Sequence, residues 1–513
     1  MTISEVFSIG TPADGRRVLD ALARSFPSEE HVARTSERVF LDTFDWRVRR
    51  AGHALSLAET GGVRWLLLES LDRSRSLRQR FETPPAFAAD LPEDPLRSWL
   101  EPVTGVRRLL PRVAMRAERR VLDLLDDGRR TVSRAVLEGG TAWCAASPGP
   151  EGSAAKPLPL RLVLEELCGH AEQGSRASRV CAQTLGLASA TDRDLDLALA
   201  TLGLGPPEDP SRPRIRLAPE GTAEACARAV LHGYLDVVEA NEDGARAELD
   251  TEFLHDFRVA VRRTRSILSV MGDVFPPAAV ERFGAELGWL GRLTGTARDL
   301  DVYLLELAGH GKRAELIAFL RRRRVEEQRA IVVALDGERR RALFSGWRAF
   351  LSEGSPETPE IGLRPVREVV SERLRRLHAD LLRRGRAISG RTRAQKIHRI
   401  RIRAKRLRYT LDAFRSLYDD QGVALVIDRL KGLQNVLGRF NDLGVQQALL
   451  RRLAAEAEAR GAGSARLFWT LGRELERKRA LKKRVRRSVR PRFERFDGPE
   501  TSRRFHRLLD GGA

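Results

Sequence analysis

Two histidine-headed rows of basic side chains carry the most legible chemistry in this chain. His255, Arg258, Arg262, Arg263 and Arg265 return as His398, Arg401, Lys405, Arg406 and Arg408, so the step from 255 to 398, an offset of 143, holds through the whole cassette. At about 100° per residue on a helix, His255, Arg258, Arg262 and Arg265 fall at about 0°, 300°, 340° and 280°, a stripe within roughly 80°. Arg263 and Arg406 sit on its flank. Like charges at i, i+4 spacing destabilise a helix unless an anion lies beside them. An extended anion meets that need, because guanidinium groups make bidentate hydrogen bonds to phosphate oxygens. A protonated histidine at the head of each row would donate one more.

A second block keeps the same offset. Leu293-Thr294-Gly295-Thr296-Ala297-Arg298-Asp299-Leu300 returns as Val436-Leu437-Gly438-Arg439-Phe440-Asn441-Asp442-Leu443. Two copies in one register imply one structural unit used twice. The charge lies in the same region: residues 1–200 hold 28 basic and 28 acidic side chains, leaving 63 and 42 for 201–513. That surplus favours a polyanionic partner, whether nucleic acid, anionic lipid or a phosphate polymer; the alternative is a solvated surface of an Arg-biased composition. Aromatic residues make up only 6% of the chain, and the cassettes offer Phe257 and Tyr409 but no alternating platform for stacking bases.

The elements that must hold these rows read as helices. Apolar side chains recur at three- and four-residue steps through 220–241, 250–273, 314–335, 364–384, 396–418, 444–459 and 464–487, about four core helices per copy. Val259, Ile267 and Leu268, and Ile400, Leu407 and Leu411, are available to face the core. The Thr294-Gly295 and Leu437-Gly438 steps predict helix breaks, with Asp299 and Asp442 near the start of the next helix. The N-terminal part instead carries strand-like runs at 39–43, 54–57, 63–69, 119–124, 131–137 and 160–165, with helices near 12–25 and 172–186. An antiparallel, barrel-like α+β domain is expected there.

Several classes fall away. Cys144, Cys168, Cys181 and Cys226 have no metal-site or disulfide spacing and read as buried free thiols. No secretory h-region and no apolar run of membrane-spanning length is present, so a soluble cytoplasmic protein is expected.

The H-x-x-R-x-x-x-[RK]-R-x-R cassettes, each followed by the second block, resemble the CHAD family over about 220–510. The resemblance implies two four-helix bundles related by a pseudo-twofold and a basic channel that binds inorganic polyphosphate. His255, Arg258, Arg262, Arg263, Arg265, His398, Arg401, Lys405, Arg406 and Arg408 are then the ligand groups, with Lys431 added from the following helix. The runs Arg321 to Arg324 and Lys482 to Arg487 are expected as solvated faces or an outer attraction. The segment Phe40-Leu41-Asp42-Thr43-Phe44-Asp45-Trp46-Arg47-Val48-Arg49-Arg50-Ala51-Gly52-His53-Ala54-Leu55 is similar to the CYTH family of triphosphate tunnel enzymes. That family's E-x-E-x-K metal strand is missing: the chain has Glu5-Val6-Phe7-Ser8-Ile9, then Ser56 and Glu69 at expected basic positions, with Glu165-Glu166 as a remnant acidic strand. Arg116, Arg119, Arg120 and Arg134 are open to either a phosphate-binding or a structural role.

The expected organisation is a multidomain chain: a degenerate CYTH-like domain at 1–202, a linker at 203–219, the first CHAD half at 220–352, a linker at 353–363 and the second half at 364–510. The expected function is binding of inorganic polyphosphate by a non-catalytic scaffold or granule-associated protein, with no cofactor, no metal site and no membrane contact. The alternatives are a metal-dependent triphosphatase or polyphosphatase using the N-terminal domain, and a nucleic-acid-binding protein.

Overall fold

The computed structural model describes residues 2–60, 62–72, 75–145, 155–166, 171–190, 193–204, 209–307, 313–354, 357–459, 461 and 463–510. The expected linker residues 205–208 and 355–356, and Cys168, lie outside them. The chain divides into two compact units, Met1–Pro210 and Ser211–Ala513.

The first unit is an eight-stranded antiparallel sheet with strands β1 (Thr2–Ser8), β2 (Ser28–Asp42), β3 (His53–Thr60), β4 (Val63–Ser70), β5 (Ser76–Arg80), β6 (Leu110–Leu125), β7 (Thr131–Cys144) and β8 (Lys156–Glu166). Their order is β1-β8-β7-β6-β2-β3-β4-β5. Helices α1 (Pro12–Ser25), α2 (Arg47–Arg50), α3 (Pro95–Thr104), α4 (Ala171–Arg179) and α5 (Asp194–Leu202) cover it. Thr11 starts α1 with a capping box: its hydroxyl accepts from the Asp14 amide, and the Asp14 carboxylate accepts from the Thr11 amide. Gly140 sits at a bulge of β7 with φ of 139°, where a Cβ would collide with the Arg116 carbonyl at 1.9 Å.

The expected strands and the helix at 12–25 are present. β1 and β5 were not foreseen. β5 reads Ser-Leu-Arg-Gln-Arg, too polar and too short to stand out, and it is an edge strand.

The second unit is helical: α6 (Ala223–Arg246), α7 (Thr251–Met271), α8 (Pro277–Leu293), α9 (Gly295–Leu307), α10 (Ala314–Asp336), α11 (Glu338–Ser352), α12 (Glu360–Leu363), α13 (Val366–Arg386), α14 (Ala394–Ala413), α15 (Asp420–Ala459), α16 (Ala465–Arg487), α17 (Val489–Phe496) and α18 (Pro499–Asp510). Asp250 caps α7 by accepting from the amides of Glu252 at 2.8 Å and Phe253 at 3.2 Å. Gly244 lets α6 approach α7, since a Cβ there would lie 2.2 Å from the Phe253 ring. The copies interlock: Leu300, Tyr303, Leu307, Leu316 and Leu320 of the first share a buried core with Leu449, Leu450, Leu453, Leu467 and Leu471 of the second.

One expected break does not occur. The first copy ends α8 at Leu293 and restarts at Gly295, but α15 runs unbroken through Leu437-Gly438, which leaves Asp442 in a helix interior. Thr294 returns its hydroxyl to the Leu290 carbonyl at 3.0 Å and accepts from Arg258 at 2.8 Å. Its counterpart Leu437 is a fully buried apolar side chain that does neither.

Candidate anion-binding site

Helices α7 and α14 are the two cassettes, and they pack against each other. Each is held by one apolar face: Phe253, Phe257, Ile267 and Leu268 are buried on α7, and Ile400, Leu407 and Leu411 on α14. Burial contributes roughly 1.5–3 kcal/mol per large side chain, against a few tenths for each like-charge pair along a helix. The core therefore holds the charged rows in place although they repel.

The rows converge. Arg258, Arg262, Arg401, Lys405 and Arg408 are half-buried, and among the described residues Arg258, Arg262, Lys405 and Arg408 form no ion pair. Arg258 donates to the Gly291 carbonyl at 2.9 Å and to the Thr294 hydroxyl at 2.8 Å, at the carbonyl-rich end of α8. Arg262 donates through Nε to the Tyr409 hydroxyl of the other cassette at 3.1 Å. Arg401 reaches Asp442 only at 3.5 Å, and its Nε is buried with no hydrogen-bond partner. Arg265, exposed at the end of its row, lies over α8, where a Cβ on Gly291 would come within 3.4 Å of its guanidinium. At the head of the second row His398 Nδ1 meets Asn441 Oδ1 at 2.6 Å, while His255 is half-buried on the first turn or so of α7.

The crowding registers in the titrating groups. Burial lowers the Lys405 ammonium to about 8, with Tyr409 and Asp442 opposing and Arg262 and Arg401 adding to it. Burial, with Arg262 and Arg298 adding to it and Asp299 opposing, lowers Arg258 to about 10. Burial alone would raise the Tyr409 phenol, but the charges of Arg262, Lys405 and Arg408 and the hydrogen bond from Arg262 outweigh it and bring the group down to about 8. Asp299 is pushed up by burial despite Arg258 and Arg452, and the charge of its repeat counterpart Asp442 adds to the rise. The equivalent carboxylates of the second block therefore sit near each other beside the basic rows.

Not every expected ligand joins this group. Arg263 is turned to Asp412 at 3.2 Å and stands 5.8 Å from the ring centroids of both Tyr234 and Tyr409. Arg406 is lowered by burial and then by Arg403, a neighbour itself bonded to Asp380 on α13, so it faces away from the row. Their helical angle, roughly 100° or more from the centre of the stripe, is the reason. Lys431 is exposed on α15 and makes no hydrogen bond or ion pair among the described residues. The Arg321 to Arg324 run is only partly a solvated face. Arg324 is buried and donates to Asp301 at 2.6 Å, while Arg323 pairs with Glu326 at 2.7 Å and Glu327 at 2.8 Å. In the other run Lys482 stands 5.0 Å over the Phe440 ring, and Arg486 donates to the Thr392 carbonyl. Tyr409 was read from the sequence only as an aromatic unsuited to base stacking; its place directly after Lys405, Arg406 and Arg408 was the signal available.

The interior of the first unit is a different kind of site, because its cations are already matched. Arg38 on β2 donates to Asp194 of α5 at 2.7 Å, to Ser56 at 2.8 Å and to Glu69. Arg161 on β8 is held by Glu138 and by the same Asp194, and Arg119 donates to Glu138 at 2.6 Å. Although burial works against it, Asp194 is held well below the usual carboxylate range by Arg161 and Arg38. Arg134 pairs with Asp123 at 2.8 Å and Arg116 reaches Glu37 at 3.4 Å. Glu5 meets Ser178, and no group of three or more potential metal ligands occurs among the described residues. In the Phe40–His53 segment Asp42 accepts from the amides of Thr43, Val48 and Arg49 at 2.7, 2.9 and 2.8 Å, which fixes the turn into α2. Burial raises its carboxyl to about 6 even so.

A duplicated helical domain with two facing cationic rows defines the class, and comparison with known proteins gives the family. Residues 229–451 match the CHAD domain model, and this stretch is a CHAD domain. An uncharacterised protein of Mycobacterium tuberculosis is 29% identical over 220 residues, 40% of this chain and 42% of the relative, so the match spans about two-fifths of that relative's length. The CHAD domain from the plant Ricinus communis is 28% identical, covers 55% of this chain and 96% of its own, and superposes with a TM-score of 0.49. A Hippeastrum adenylyl cyclase homologue, described as having a dominant triphosphatase activity, is 14% identical over 40% of this chain and 98% of its own, with a TM-score of 0.27. Three of the four cysteines are described: Cys181 and Cys226 are buried and Cys144 half-buried, all as free thiols. No helix among the described residues is long and apolar enough to cross a membrane.

Proposed function

We propose that the helical domain binds inorganic polyphosphate along the facing rows of α7 and α14, and that the protein acts in the cytoplasm as a non-catalytic scaffold or a granule-associated protein. The observation that carries this is the pairing of Arg262 with its repeat counterpart Lys405. Each stands in the other's field, both are half-buried, and neither forms an ion pair among the described residues. Such a group is stabilised by a ligand that brings several negative charges at close spacing. A phosphate polymer does this without needing base recognition. Phe257 and Tyr409 support that preference, since both are buried and offer no open ring face for a base.

The N-terminal unit is read as a companion domain. Arg38, Arg119 and Arg161 are matched by Glu69, Asp194 and Glu138, which disfavours a free triphosphate seat as the chain is folded here. The reading is tested by titrating long-chain polyphosphate against the full chain, with RNA as competitor at equal charge concentration, alongside a phosphate-release assay with Mg²⁺ or Mn²⁺. Tight binding that RNA does not displace, with no release, is the expected result. Displacement by RNA would favour the nucleic-acid alternative, and metal-dependent release the triphosphatase or polyphosphatase.

A further inference from the structure

Among the described residues Tyr409 is the one hydroxyl tied to both rows. It lies on α14 with 2% of its surface exposed, accepts from Arg262 Nε of α7 at 3.1 Å, and has the Arg408 guanidinium 5.3 Å and the Arg263 guanidinium 5.8 Å from its ring centroid. Its hydroxyl proton is left to give, because the bond from Arg262 uses an oxygen lone pair. The counterpart of Tyr409 in the first cassette is Ser266, whose buried Oγ has no hydrogen-bond partner, so only one copy supplies this group.

We propose that Tyr409 is a ligand-contacting residue of the basic site: its oxygen holds Arg262 in the empty protein, and its O–H donates to a phosphate oxygen when the polymer binds. This inference rests on the polyphosphate reading given above. The charged groups around the hydroxyl are Arg262 from α7 and Arg401, Lys405 and Arg408 from its own helix, while Arg263 of α7 stands over the ring. Asp412 answers Arg263, and the neutral Tyr234 of α6 lies beyond. Asp442 answers Arg401 at 3.5 Å, and the three cations left without an ion pair among the described residues, Arg262, Lys405 and Arg408, make the empty site a place where the phenol ionises easily, the anion formed acting as an internal counter-charge. An incoming polyphosphate reverses that field. The phenolate takes a proton from solvent, the O–H becomes a donor to phosphate, and Arg262 is released to pair with the polymer.

The tyrosines make this measurable. The chain has four, and burial pushes Tyr234, Tyr303 and Tyr418 up, so Tyr409 alone ionises early. The ultraviolet absorbance of tyrosinate, followed against pH in the full chain, is expected to give one group with a midpoint near pH 8, and saturating long-chain polyphosphate is expected to move that midpoint upwards. Tyr409→Phe keeps the ring and is expected to lose the early step and to bind the polymer roughly tenfold more weakly, as for a hydrogen bond to a charged acceptor. An early midpoint that stays in place at saturation, or a Tyr409→Phe protein that binds as tightly as wild type, overturns the inference while leaving the polyphosphate reading intact. Failure of the wild-type chain to bind polyphosphate at all defeats both.

Discussion

Arg262 on α7 and Lys405 on α14 occupy the same position in the two copies of one cassette, and the charge of the first helps to lower the ammonium of the second to about 8. The repeat therefore brings its own basic groups face to face. Folding collects this repulsion because the apolar faces of both helices outweigh it, and ligand binding releases it.

Substituting either partner separates binding from folding. Arg262→Ala and Lys405→Ala are each expected to weaken polyphosphate binding by roughly tenfold, the loss of one or two charge-assisted contacts. Each should leave helicity unchanged and raise the stability of the empty domain by up to about 1 kcal/mol as repulsion falls. Circular dichroism melts beside binding isotherms check this; lost helicity would mark a structural role.

The pH dependence of the empty protein follows in sign. A lysine whose folded pKa lies below its unfolded value costs stability whenever it is charged, in full below about 8 and not at all above the unfolded value of 10.5. The depressed Tyr409 phenol contributes stability above its unfolded value of 10.0 that is lost as pH falls through about 8. Both act in one direction, so the urea midpoint of the helical unit should rise between about pH 7 and about pH 9.5 relative to a Lys405→Met, Tyr409→Phe double variant. A parallel profile in the double variant would contradict the assignment.

Arginines that look alike in sequence should differ sharply. Arg324→Ala leaves Asp301 and Gln328 buried without their partner and is expected to destabilise the unit by about 3–5 kcal/mol. Arg321→Ala, exposed one turn away, should change stability by less than about 0.5 kcal/mol. Thermal unfolding of the two variants distinguishes them.

In the N-terminal unit Asp194 balances two buried arginines at once. Asp194→Ala is expected to cost about 3–5 kcal/mol because Arg38 and Arg161 both lose a partner in the interior. Asp196→Ala, whose carboxylate meets only the half-buried Arg49 among the described residues, should cost about 1 kcal/mol or less. Denaturant titration of the full chain checks the contrast.

The helices of the second unit were legible because burial imposes a 3.6-residue period on sequence, and the cassettes because charge repeated at a fixed offset. What the sequence could not convey was which way a flank points. Arg263 follows Arg262 on the flank of the stripe, and the partner that this flank meets, Asp412, lies 149 residues away in sequence. The continuity of α15 was missed because glycine in a helix costs only about 1 kcal/mol, and the buried Leu433, Leu437 and Phe440 around Gly438 exceed that. The charge balance of residues 1–200 was visible as a count. Its meaning, arginines neutralised pair by pair around Asp194, needed the strands assembled.

The salt dependence of polyphosphate binding tests the central claim most directly. If four or more cations of the two rows each meet a phosphate, raising salt from about 50 to about 200 mM should weaken long-chain polyphosphate binding to the full chain on the order of a hundredfold, by counterion release. The loss should be smaller in the Arg262→Ala, Lys405→Ala double variant. An affinity that does not change with salt, or a double variant with the same slope as wild type, would contradict the account.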